Sequence, residues 1–103
     1  MGGANVIGSD ALLSARVRIP QTVVYRAFAN ETVVLNLDTG IYHGMNRTGA
    51  NMLEVLEKVG SVREAARLLA RKYEIPLGEI QEDLCNFCES LIDRGLLVVE
   101  DYR

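Results

Sequence analysis

The chain has 103 residues, of which 49% are hydrophobic and 24% charged, with 11 Lys and Arg against 14 Asp and Glu for a formal net charge of -3. These values fit one ordinary globular domain with a modest core, exclude disorder of the whole chain and leave little room for a deep active site. No run of about 18 apolar residues is present to span a membrane, and the N-terminal stretch lacks the basic start and long apolar run of a secretory signal, so a cytoplasmic location is expected.

Residues 1–15 read as a loosely held, flexible N-terminal arm, followed by a single domain over residues 16–103. Residues 22–28, TVVYRAF, are rich in β-branched and aromatic types and end at Ala29-Asn30, which predicts a strand and a turn. A second strand is predicted over residues 32–37, where Val33, Leu35 and Leu37 alternate with Val34 and Asn36. Asp38-Thr39-Gly40 suits a hairpin loop in which Gly40 takes the left-handed position, and residues 41–45 form a third strand. Three strands joined by short loops make an antiparallel meander whose third strand is an edge. Gly44 within it weakens a strand unless a backbone or ligand approaches closely there.

From Asn46 the period becomes helical. Asn46 or Thr48 can cap a helix whose apolar positions Ala50, Leu53, Val55, Leu56 and Val59 stop at Gly60. Ser61-Val62-Arg63-Glu64 is a capping-box pattern opening a second helix to about Tyr73. Pro76 marks the entry of a third helix over about residues 77–94, with Ile80, Leu84, Phe87, Cys88 and Leu91 on one face and Gly95 past its end. Residues 96–99 read as a short extended tail, a candidate short strand after the three helices. Segregated strands and helices indicate an α+β fold, a three-stranded antiparallel meander followed by three helices, with short connections similar to those of a winged helix-turn-helix.

Catalytic chemistry is sparse. There is no Gly-rich phosphate loop and no Gly-x-Ser-x-Gly, and His43 is the single histidine, without an orienting group in view. Cys85 and Cys88, the two cysteines, lie three apart inside a helical pattern; one pair plus His43 falls short of four zinc ligands, so they read as small apolar residues of the core or a groove. No metal or cofactor is expected. Duplex DNA would meet Glu79, Glu82, Asp83, Glu89 and Asp93 on the third helix, and Arg63, Arg67, Arg71 and Lys72 on the second stand among Glu64 and Glu74 as a solvated face.

The ordered sequence VVLNLDTGIYHGMNRTGANMLEVL, then SVREAARLLARKYEIPLGEIQEDLCNFCESLIDRGLL, resembles the PqqD-like family, the pyrroloquinoline quinone biosynthesis protein D group, over about residues 32–97. The resemblance implies a winged-helix-like, non-catalytic recognition element that binds the leader segment of a ribosomally made precursor peptide and presents it to a modifying enzyme, a radical SAM enzyme or a leader peptidase. It places the leader as a strand beside Ile41, Tyr42, His43, Gly44 and Met45 on edge strand 41–46, with side chains in a groove against Asp83, Leu84, Phe87, Cys88 and Leu91 of the third helix. The N-terminal arm has no counterpart in the family pattern. It, or the free edge strand, can also pair with a second copy to give a homodimer. A winged-helix DNA-binding regulator and a structural subunit of a larger enzyme are the alternative readings.

Overall fold

In the computed structural model, which describes the backbone of residues 9–102 and the side chains of residues 11–101, the chain begins with a short helix, α1 (Ser9–Leu13), and a strand, β1 (Ala15–Arg18). Three strands follow, β2 (Val23–Ala27), β3 (Thr32–Asn36) and β4 (Ile41–Met45), then three helices, α2 (Arg47–Val59), α3 (Val62–Tyr73) and α4 (Leu77–Asp93), and a last strand, β5 (Val98–Tyr102). The sheet order is β2-β3-β4, antiparallel throughout, so the predicted α+β meander and helical trio are both present.

The arm differs from expectation. Residues 1–8 lie outside the described residues, but from residue 9 the segment is ordered: α1 packs against α3 and α4, and Leu12 and Ala15 are buried. β1 pairs antiparallel with β5 across a register shift between Arg16 and Val17, and an Arg18–Glu100 ion pair of 3.2 Å lies along the ribbon. Gly60, at a φ of 73°, ends α2, and the guanidinium of Arg16 packs over it so closely that a Cβ there would stand 2.7 Å from Arg16 Nη2. The Val17 amide donates to the Gly60 carbonyl at 2.8 Å, which ties the ribbon to the α2–α3 corner.

Local signals explain the helix ends. Asn46 Oδ1 accepts the Gly49 amide proton at 2.8 Å and Ser61 Oγ accepts that of Glu64 at 3.2 Å, satisfying amides that helix starts leave open. The Glu64 carboxylate of the expected capping box is engaged by Arg67. At the end of α4 the amides of Gly95 and Leu96 donate to the carbonyls of Ile92 and Leu91, at 3.0 and 2.8 Å, with Gly95 left-handed as this termination requires.

One core joins these parts. Leu53 and Leu56 of α2, Val62 and Leu69 of α3, and Leu84 and Leu91 of α4 are buried together with Leu96 and Leu97. On β3 the buried side is Thr32, Val34 and Asn36, while Val33 and Leu35 face outward. The outer side of the sheet is consequently apolar and open, with Val24, Phe28, Leu37, Ile41 and Tyr42 exposed on or beside it.

Candidate functional site

Among the described residues β4 is hydrogen-bonded on one side only, to β3. Phe28 N–H donates to Glu31 O at 2.8 Å and Leu37 N–H to Thr22 O at 2.7 Å, so the odd-numbered residues at and beyond the ends of β3 exchange hydrogen bonds with the β2 side. Alternation within an antiparallel ladder then assigns Thr32, Val34 and Asn36 to β4, where they oppose Met45, His43 and Ile41. The N–H and C=O groups of Tyr42 and Gly44 therefore point to the open side of the sheet. They are a template for one more strand.

Beside this edge runs a cleft of about 520 Å³ between the β4–α2 junction and α4. Gly44, Met45, Asn46, Gly49 and Met52 form one wall, and Asp83, Asn86, Phe87, Ser90 and Leu91 the other, with Arg94 at the far end. Two contacts set its width. At one end Asn36 Nδ2 donates to the carbonyls of Arg94 and Gly95, each at 3.5 Å, while Asn36 Oδ1 accepts from the Asp38 amide at 2.9 Å, so the hairpin turn and the end of α4 are held together. At the other end the Phe87 ring packs on Gly49, where an added Cβ would lie 3.5 Å from Phe87 Cε1. Since Asn36 opposes Ile41 and Gly49 adjoins Met45, β4 and α4 run in opposite directions along the cleft.

Of the residues expected at this site, Gly44, Met45, Asp83, Phe87 and Leu91 line the cleft. Ile41, Tyr42 and His43 lie on the edge strand, with the ring of Tyr42 on the outer side of the sheet opposite Leu35. Leu84 and Cys88 do not reach the cleft: both are fully buried, because their positions on α4 face α3 and the core. The helix face toward the cleft is one row over, Asp83, Asn86, Phe87, Ser90 and Arg94, which recur three or four apart. That spacing was visible in the sequence, but the mixture of polar types hid it behind the more apolar neighbouring row. Thr48, Gly49 and Met52 come from the first turns of α2, a contribution that follows from the strand-to-helix corner at Asn46.

Elsewhere the chemistry is that of a folded core. Cys85 and Cys88 are buried, and burial, then the neighbouring Cys85 and Glu89, pushes the Cys88 thiol up to about 12. On β2, at the opposite edge of the sheet from β4 and facing α2, Tyr25 donates its hydroxyl proton to Glu57, and burial followed by that hydrogen bond and the charges of Glu57 and Glu54 raises its pKa to about 12. Among the described residues no three His, Cys, Asp or Glu side chains are grouped to hold a metal ion, and no helix is long and apolar enough to cross a membrane.

Comparison with known proteins matches the segment that builds these elements. The family described as Coenzyme PQQ synthesis protein D (PqqD) matches residues 31–97, which contain β3, β4, α2, α3 and α4. Among solved structures the fold is similar to TbiB1 in complex with the TbiA(β) leader peptide, at 27% identity and a TM-score of 0.72, over 84% of this chain and 98% of that one. It is also similar to lasso peptide synthetase B1 complexed with the leader peptide, at 23% identity and a TM-score of 0.73, over 82% of this chain and 99% of that one. No curated protein sequence matches the chain.

Proposed function

This chain belongs to the PqqD family, and we propose that it is a non-catalytic recognition element that captures the leader segment of a ribosomally made precursor peptide and presents it to a modifying enzyme, such as a radical SAM enzyme or a leader peptidase. The observation that carries the reading is the β4 edge, unpaired among the described residues, lying along the cleft against α4 in a fold similar to a protein solved with a leader peptide bound. A leader strand would exchange main-chain hydrogen bonds with Tyr42 and Gly44, which gives affinity independent of sequence. Its alternate side chains would enter the cleft beside Met45, Phe87 and Leu91, which gives selectivity.

Magnitudes show why both parts are needed. Each net hydrogen bond contributes about 0.5 to 1.5 kcal/mol, whereas ordering each peptide residue costs about 1 to 2 kcal/mol. Main-chain pairing alone therefore does not hold a flexible peptide. Burying one Leu-sized side chain contributes about 1.5 to 3 kcal/mol, so two or three anchors in the cleft bring binding into the micromolar range or below.

The test is an amide NMR titration of the protein with the leader peptide encoded beside its gene. Shift changes should concentrate at Tyr42, Gly44 and the cleft-facing row of α4. Saturable binding that leaves those amides unmoved would refute strand addition at β4.

A further inference from the structure

The cleft walls carry two charged side chains, and they sit at opposite ends. Asp83 lies one turn before Phe87, at the end where β4 runs into α2, and Arg94 lies at the end where β4 begins, held beside Ile41 through the Asn36 bonds to its carbonyl. Between them the walls are neutral. Neither side chain forms an ion pair among the described residues, and both are exposed, so both charges remain available to a ligand.

From this arrangement we propose that the cleft reads a charge order in its peptide: a Lys or Arg toward the N-terminal end of the bound segment and an Asp or Glu about five residues further on. The inference rests on the leader-binding reading above. Its length scale is set by α4. Asp83 and Arg94 are eleven positions apart, which on a helix is about 16 Å, and an extended peptide covers that distance in about five residues. Its direction is set by the sheet. A strand added antiparallel to β4 continues the antiparallel pattern of β2-β3-β4 and starts at the Met45 end, which is the Asp83 end. Opposite charges at the two ends also act against a peptide inserted backwards, because both of its charges would then meet their own sign.

The proposal is tested with a display library of fully randomised ten-residue peptides selected on the intact protein and on its Asp83→Lys and Arg94→Glu variants. Both substitutions lie on exposed positions and leave the core untouched. Selected peptides whose binding moves the β4 amides should be enriched in a basic residue followed about five positions later by an acidic one. Asp83→Lys should invert the preference at the first position alone and Arg94→Glu at the second alone. For one selected peptide each reversal should weaken binding about two- to five-fold at low salt, recovered by reversing the matching peptide charge. Peptides that move the β4 amides without any charge preference, or with the acidic residue first, overturn the charge order while leaving leader binding intact. Selection of no peptide that moves those amides overturns both readings.

Discussion

At the scale of single residues the groove depends on what is missing from a side chain as much as on what is present. Gly49 stands in the first turns of α2, where glycine costs a helix roughly 0.8 to 1 kcal/mol relative to alanine. A methyl group there would meet Phe87 Cε1 at 3.5 Å and Asn46 Oδ1 at 3.4 Å, ordinary van der Waals distances, so it fits the fold but fills space in the cleft wall beside the ring. Gly49→Ala is therefore expected to leave stability unchanged or raise it by up to about 1 kcal/mol in urea melts, while weakening leader binding measured by calorimetry. Unchanged affinity in the stabilised variant would show that the Phe87 ring is not part of the binding wall. Asn36 illustrates the opposite case, a buried polar side chain that is retained because its bonds to the hairpin turn and to the carbonyls of α4 satisfy it.

At the scale of elements, sequence pattern and structure agree where a signal is local. The period-two runs, Gly40 at a φ of 73°, the Asn46 and Ser61 caps and the Gly95 termination each need only a few neighbouring residues, and β2, β3, β4 and the three long helices fall where those signals put them. Of the β1–β5 ribbon only the extended tail after α4 was legible, and β1 and the pairing were not. Ala15–Arg18 is four residues with only Ala15 and Val17 buried, and its partner lies at the other end of the chain, so no local pattern announces it. The same limit explains Leu84 and Cys88. Periodicity identifies an apolar face of α4 but not which neighbour covers it, and here α3 and the core do. The orientation of β4 gives a sharper prediction. Because the Gly44 amide points away from β3, Gly44→Pro removes one donor from the open edge and none from the ladder that holds the sheet. The variant should keep its circular dichroism spectrum and lose leader affinity by about tenfold or more, the equivalent of one hydrogen bond together with the steric block of the ring. Wild-type affinity in a folded Gly44→Pro protein would place the peptide elsewhere.

At the scale of the whole molecule, two protons, one on a buried thiol and one on a half-buried phenol, link stability to pH. The Cys88 thiol is raised from 9.0 and the Tyr25 phenol from 10.0, both to about 12 and both chiefly by burial. Each group holds its proton more tightly folded than unfolded, so its contribution is complete below the unfolded value and is lost as pH rises toward the folded one. Thermal melts should show stability falling between pH 9 and 12, with the fall reduced in Cys88→Ala and Tyr25→Phe. A profile flat to pH 11 in the wild type would contradict this assignment. The molecule is also fastened at both ends of its cleft, by the Asn36 amide at one and by the Phe87 ring against Gly49 at the other. On the proposed reading such a jaw is set to width beforehand, and an arriving peptide would have chiefly its own ordering to complete. Preference among peptides then resides in how long each one stays, and a good sequence differs from a poor one by its departure rate far more than by its rate of arrival.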